Sequence, residues 1–319
     1  MIKIDLITGF LGSGKTTFIR EYAKNLADNN EKVCIIENDY GAINVDVLLL
    51  NELSKYNIGL ETVSGGSDKA THLRRFRTKL ITIAMLGYSR VIVEPSGIFD
   101  VDEFYDLLHE DTLSKMYEIN NVLCVVRGDI EKDISLESKY LLASQISTAG
   151  KIVVSHPDKI NIDDLISFLN ETLEMISCGR VITSDDLFVQ NLLDIKEFSP
   201  VNNSGLKEYG FVKKYSQFDN NFESLFFMNP DKDILGNIDD LLNDENVGNI
   251  IRIKGIINTG DKYLSLNITK NDKDIVECAE SQTVIIVIGE NLNSELISAY
   301  IPSEYSTFQV YRDAKEACE

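Results

Sequence analysis

The segment Gly9-Phe10-Leu11-Gly12-Ser13-Gly14-Lys15-Thr16 fits the pattern G-x-x-x-x-G-K-[ST] in full. Glycines at those places let main-chain N–H groups turn inward around phosphate oxygens, where side chains would obstruct the approach. A helix opening directly after the loop adds the partial positive charge of its N-terminus. In such a P-loop Gly9, Gly12, Ser13 and Gly14 form the cradle, and Lys15 reaches the β- and γ-phosphates. The Thr16 hydroxyl ligates Mg²⁺, and Thr17 donates to the α-phosphate. Outside a strand–loop–helix context the same residues would be only a glycine turn. A second element is Val91-Ile92-Val93-Glu94-Pro95-Ser96-Gly97. An acid that ends an apolar strand suits a carboxylate that holds the magnesium water shell, and the Gly97 N–H could sense the γ-phosphate. A strand closing in an ordinary turn at Pro95 is the other reading.

These groups can converge only if particular elements carry them. Apolar runs of strand length alternate with helical stretches through about residue 180. Strands are expected at Ile4–Thr8, Lys32–Glu37, Ile58–Val63, Arg90–Glu94, Asn121–Val126 and Lys151–Ser155. Helices are expected at Thr16–Asn29, Lys69–Leu86, Val101–Leu108, Ile134–Thr148 and Ile162–Ile176. That alternation implies βαβ units, and continuous apolar strands imply a mainly parallel sheet covered on both faces. The P-loop and Glu94 then lie on different strands of one α/β domain, residues 1–183, whose carboxyl edge binds ligands. Residues 184–221 read as a linker or surface excursion, with 199–221 rich in Asn, Ser, Gly and Lys. Residues 222–319 read as a small α+β domain with a mixed or antiparallel sheet.

The 319 residues are enough for two hydrophobic cores. The formal net charge of −20 repels phosphate backbones and anionic lipid, which argues against nucleic acid or membrane as a partner. No apolar run approaches the roughly 18–20 residues of a membrane span, and the opening residues are too short and charged for a secretory signal. The five cysteines are scattered, with no pair at metal-ligand spacing. Cys34 and Cys124 fall inside strand-like runs and are expected to be core thiols. A reduced, cytoplasmic setting fits best.

Joined to Asn38-Asp39-Tyr40-Gly41-Ala42-Ile43-Asn44-Val45-Asp46, these motifs give the chain a resemblance to the CobW family of P-loop GTPases, relatives of the nickel-insertion GTPases. Ile251-Arg252-Ile253-Lys254-Gly255-Ile256 and Val287-Ile288-Gly289-Glu290-Asn291-Leu292 resemble strands of that family's C-terminal domain. The resemblance implies GTP and Mg²⁺ as ligands. It puts Asp39 in place of the family's first-switch glutamate and Asp46 in place of its distal aspartate. Either could touch magnesium or the attacking water, and both could equally be solvated loop acids. Two departures stand out. The family's Cys-x-Cys-Cys metal motif has no counterpart in Thr62-Val63-Ser64-Gly65-Gly66-Ser67-Asp68-Lys69. Asp68 and His72 could form a weak two-ligand site, or Asp68 could cap the helix while His72 is solvated or packed. The family's guanine-reading Asn-Lys-x-Asp is replaced by Ser155-His156-Pro157-Asp158. Asp158 keeps a carboxylate that can accept from guanine N1–H and N2–H₂, which adenine cannot match. His156 could stack on the base in place of the lysine, and a helix-entry acid is the other reading of Asp158.

The expected activity is therefore slow, Mg²⁺-dependent hydrolysis of GTP by a switch that gates a client metalloprotein or cofactor pathway. A metal chaperone with non-cysteine ligands and a small-molecule kinase are the competing readings. Arg74, Arg75 and Arg77 make a basic patch beside the second switch-like segment. They could pair with phosphate across a homodimer interface, or form a solvated helix face.

Overall fold

The computed structural model describes residues 1–39, 51–64, 69–95, 101–130, 132–189, 191–192, 222–270, 272–278, 280 and 282–310. Contacts divide the chain into two units, 1–215 and 216–319.

The first unit is an α/β domain on a seven-stranded parallel sheet. Its strands are β1 (Ile2–Thr8), β2 (Val33–Asp39), β3 (Gly59–Ser64), β4 (Arg90–Pro95), β5 (Tyr117–Arg127), β6 (Lys151–Ser155) and β7 (Leu187–Val189). They lie in the order β3-β2-β4-β1-β5-β6-β7, and every pairing among the described residues is parallel. Because β1 is central, the loop that follows it opens at the middle of the carboxyl edge. There the strand order reverses, and open α/β sheets form their crevice at such a point.

Both faces are covered, as continuous apolar strands require. Helix α1 (Lys15–Asp28) buries Phe18, Ile19, Tyr22, Ala23 and Leu26 against Ile7, Ile35, Ile92 and Leu123. On the opposite face α2 (Lys69–Ala84) and α3 (Val101–Leu108) pack Phe76, Leu80 and Phe104 against Ile4, Ile36, Val91 and Val93. There too α4 (Leu136–Thr148) and α5 (Ile162–Met175) cover Cys124, Val126, Ile152 and Val154. The alternation of strand residues between these clusters is the period-two rule of a pleated strand.

Three of the departures from the expected boundaries have clear physical reasons. Helix α2 stops at Ala84 rather than Leu86, because Gly87 takes a left-handed φ of 73° and Met85 and Leu86 turn outward, 81% and 51% exposed. Strand β5 starts at Tyr117 rather than Asn121. Its polar first half is held by Asn120 and Asn121, both bonded to Asp5. Residues 184–189, expected within the excursion, instead form a short 3₁₀ turn and β7, which pairs with β6. An apolar triplet is too short for a periodicity to register.

The second unit holds one antiparallel six-stranded sheet, in the order β11-β10-β9-β12-β8-β13. Its strands are β8 (Phe222–Pro230), β9 (Asn249–Asn258), β10 (Tyr263–Ile268), β11 (Lys273–Cys278), β12 (Val284–Glu290) and β13 (Ser303–Val310). Helices α6 (Ile234–Asn243) and α7 (Ser294–Tyr300) supply Ile234, Ile238, Leu241 and Ile297 to a core with Leu225, Phe227, Ile253, Ile285 and Val287. Strand β13 was not expected. Its sequence is mostly polar, and it pairs along β8 as an edge strand.

Candidate functional site

The loop after β1 turns through backbone states that suit glycine, with φ of +146° at Gly9, +73° at Gly12 and +93° at Gly14. Space forbids side chains as well. A Cβ on Gly9 would meet the Val125 carbonyl oxygen of β5 at 2.4 Å, and one on Gly14 would meet Leu192 Cδ1 at 3.1 Å. Gly14 is also the left-handed residue from which α1 springs. The segment is therefore a narrow backbone cradle against the sheet edge, ending at a helix N-terminus.

Lys15 is 6% exposed, and its ammonium donates to the carbonyl oxygens of Gly9 at 2.8 Å and Phe10 at 3.3 Å. The cation thus lies folded over the loop from which it springs. Thr16 donates through Oγ1 to Glu94 Oε1 at 3.0 Å, linking the first turn of α1 to the end of β4. Ser13 is 2% exposed, and its Oγ has no hydrogen-bond partner among the described residues. A buried polar atom of that kind fits a site that awaits an oxyanion. Thr17 is half-buried one residue further along α1.

Glu94 has a neighbour that sequence reasoning missed. Glu37 on β2 stands directly opposite it in the parallel register, and the two are 2% and 8% exposed. Alternation puts Glu37 and Glu94 on the α1 face of the sheet with Ile35 and Ile92. Two carboxylates side by side, with a threonine hydroxyl bonded to one of them, form a hard-oxygen donor set that suits Mg²⁺. The missed signal was an acid that closes an otherwise apolar run, Val33-Cys34-Ile35-Ile36-Glu37.

Asn38 and His72 are on the other face, where His72 Nε2 lies 2.7 Å from Asn38 Oδ1 and the ring is 2% exposed. Of the open readings for His72, packing holds. This contact ties the first turn of α2 to the end of β2. Asp68 lies outside the described residues, as do Asp46 and Gly97; Asp39 closes β2, but its side chain is outside them as well. Among the described residues no group of three or more His, Cys, Asp or Glu side chains could hold a metal ion.

The end of β6 approaches the same loop. The Gly14 Cβ position lies 3.5 Å from Ser155 Cβ, so Ser155 lines the cradle. His156 adopts a left-handed φ of 53°, with Nδ1 3.2 Å from Ser155 Oγ. Pro157–Lys159 make a 3₁₀ turn on which Asp158 is exposed. Asp158 is not the cap of the following helix, since Asn161 caps α5 by accepting from the Asp164 amide. Gly128, beyond β5, backs this turn, and its N–H donates to the Ser155 carbonyl at 2.8 Å. The turn therefore has a fixed base and presents Asp158 to solvent beside the phosphate cradle.

A cradle, an ammonium, a bridged threonine and acids at the carboxyl edge of a parallel sheet define a P-loop nucleotide-binding domain. Residues 3–183 match the family described as CobW/HypB/UreG, nucleotide-binding domain. The chain belongs to that family. It is 28% identical over 160 residues to the zinc chaperone YeiR of Escherichia coli (strain K12), across 50% of this chain and 48% of that protein. It is 25% identical over 239 residues to zinc-regulated GTPase metalloprotein activator 1 of Saccharomyces cerevisiae, across 66% and 54%. The chain thus spans about half the length of the curated relatives it matches. Among solved structures, the Zn(II)-bound YjiA GTPase from E. coli aligns over 94% of this chain and 97% of its own, at 17% identity and a TM-score of 0.35. The hydrogenase maturation factor HypB from Archaeoglobus fulgidus aligns over 54% and 76%, at 16% identity and a TM-score of 0.36. No helix among the described residues is long and apolar enough to cross a membrane.

Proposed function

We propose that this chain binds GTP with Mg²⁺ at the P-loop, hydrolyses it slowly, and uses the cycle to gate a client protein. The observation that carries this reading is the Thr16–Glu94 bridge at the mouth of a glycine cradle closed by Lys15. In this role the Lys15 ammonium exchanges its loop carbonyls for β- and γ-phosphate oxygens, and Ser13 and the loop amides hold the remaining oxygens. Mg²⁺, held by Thr16 and Glu94, supplies charge neutralisation between the phosphates. Glu37 adds to the negative field that favours a cation there. Asp158 selects guanine, with His156 against the base. Asp39, Asp46 and Gly97 are assigned to the nucleotide-responsive loops. Slow turnover is part of this reading, and Arg127, at the carboxyl end of β5, is tied to Asp129 by two bonds of 2.8 and 2.9 Å.

A second reading, carriage of a divalent metal, has specific support in the names of the zinc-chaperone relatives. It requires ligands other than the family's cysteines, and at least some would have to lie outside the described residues. Equilibrium dialysis with zinc decides it: stoichiometric binding that appears only with GTP supports carriage, and none rejects it.

The test of guanine selection compares GTP and ATP affinity in the wild type and in Asp158→Ala. Loss of a two-point hydrogen-bonded contact to the base should weaken GTP about 10- to 100-fold and leave ATP unchanged. Equal affinities in the wild type would refute the assignment.

A further inference from the structure

Glu37 and Asn38 are consecutive near the end of β2, so their side chains leave the sheet on opposite faces. Glu37 stands opposite Glu94 on the α1 face. Asn38 points to the α2 face, where its Oδ1 meets His72 Nε2 at 2.7 Å, and the two residues are 1% and 2% exposed. A carboxamide oxygen only accepts, so the ring donates from Nε2. His72 belongs to the first turn of α2, and Phe76, one turn further on, is buried in the core of that face with Val63 of β3. The ring is therefore anchored by a packed helix. The end of β2 needs such a hold. Neighbouring strands lie about 4.8 Å apart, so carboxylates at 37 and 94 repel one another when no cation stands between them. Pro95, opposite Asn38 in the register, has no N–H to give the ladder.

We propose that His72 is a positioning residue for the cation site: from the opposite face of the sheet it holds Asn38, and so keeps Glu37 beside Glu94. This role rests on the magnesium reading of Thr16 and Glu94 given above. Without the ring N–H the Asn38 oxygen would be buried and unsatisfied, and its side chain would turn to find another donor. The peptide plane between residues 37 and 38 turns with it, and the Glu37 carboxylate leaves its place. Outer partners that orient the groups around a metal act on its affinity in this way. A bond that served packing alone would change stability and leave the cation indifferent.

The probe is a fluorescent, non-hydrolysable GTP analogue, bound to the full chain first in EDTA and then with Mg²⁺ added stepwise. His72→Leu fills the space without a donor, and His72→Gln keeps one. His72→Leu should raise the Mg²⁺ concentration at the midpoint about tenfold, while affinity in EDTA moves by less than about twofold. His72→Gln should recover most of that shift. Asn38→Ala/His72→Leu should shift the midpoint no further than His72→Leu alone, because the two residues act through one bond. In the wild type, ¹⁵N resonances of the imidazoles should show His72 Nε2 carrying its proton, a readout that does not depend on how any variant folds. An unmoved midpoint, equal weakening with and without Mg²⁺, no recovery by glutamine, additive shifts, or an unprotonated Nε2 would each overturn the proposal. A wild type with no Mg²⁺ dependence would overturn the magnesium reading along with it. A clear wild-type midpoint that His72→Leu leaves in place would overturn the role of His72 alone.

Discussion

Replacing Arg90 by Met should nearly unfold the first unit, and the damage should grow as pH rises. Arg90 and Asp5 are 1% and 0% exposed and meet through bonds of 3.1 and 3.2 Å. Arg90 also reaches Glu31 at 3.1 Å, while Asp5 accepts from Tyr22 and Asn120 at 2.8 Å and from the Asn121 amide at 3.0 Å. Met fills most of the space but leaves the Asp5 charge buried without its cation. Breaking a buried pair in that way costs about 3–5 kcal/mol, against a total of about 5–15 kcal/mol for a folded domain. The pH dependence follows from Asp5. Burial raises its carboxyl above the ordinary value of 3.8, and Arg90 works against that rise. Without Arg90 the folded-state pKa climbs further. A carboxyl with a raised folded-state pKa loses stability as pH rises from its unfolded value through its folded value. The variant should therefore lose more, relative to wild type, at pH 8 than at pH 5. Urea unfolding read by hydrogen exchange over residues 1–95 isolates this unit, and adding Asp5→Asn should restore about 1 kcal/mol or more. A loss below about 1 kcal/mol, or an equal loss at both pH values, would refute the reasoning.

Arg180 is 4% exposed and donates to the carbonyls of Ile146 at 2.5 Å and Ala149 at 2.6 Å, closing the C-terminus of α4. Arg180→Ala should cost about 2–3 kcal/mol in thermal or urea unfolding. Burial acts to raise its partner Asp186, yet bonds from Thr183 and Arg180 leave that carboxyl below 3.8. The stability it contributes is present above 3.8 and lost as pH falls through the lowered value, so the variant should show a flatter acid limb. Burial pushes the Cys34 and Cys124 thiols up to about 12. Alkylation at pH 8 with peptide mapping should modify the half-exposed Cys178 and Cys278 long before these two, and early modification of either core thiol would contradict their placement. Gly9→Ala drives a methyl group into the Val125 carbonyl. It should cost at least about 2 kcal/mol and reduce nucleotide affinity in the same calorimetric titration.

The sheet and the phosphate loop were legible because their signals are local. Strands β1, β2, β4, β5 and β6 each carry an apolar run, and glycines at 9, 12 and 14 mark a backbone that side chains cannot follow. What stayed hidden depends on contacts distant in sequence. The polar half of β5 is explained only by Asp5, which accepts from Asn120 across 115 positions. Glu37 resembles an acid at the end of a strand until β2 and β4 are in register and Glu94 stands opposite. His72 could be read as ligand, packed ring or solvated residue, and the Asn38 contact selects packing. Strands β7 and β13 were missed because one is three residues long and the other is a polar edge whose partner β8 lies over seventy positions earlier. The second unit's antiparallel order also needed the pairings themselves, since short strands with loops between them are compatible with mixed sheets.

Isothermal titration of GTP with Mg²⁺ into the full chain and into Lys15→Ala tests the phosphate site most directly. The lysine's place over the Gly9 and Phe10 carbonyls predicts saturable binding by the wild type and a loss of about 100-fold or more in the variant. Matching affinities for the two proteins would contradict the account.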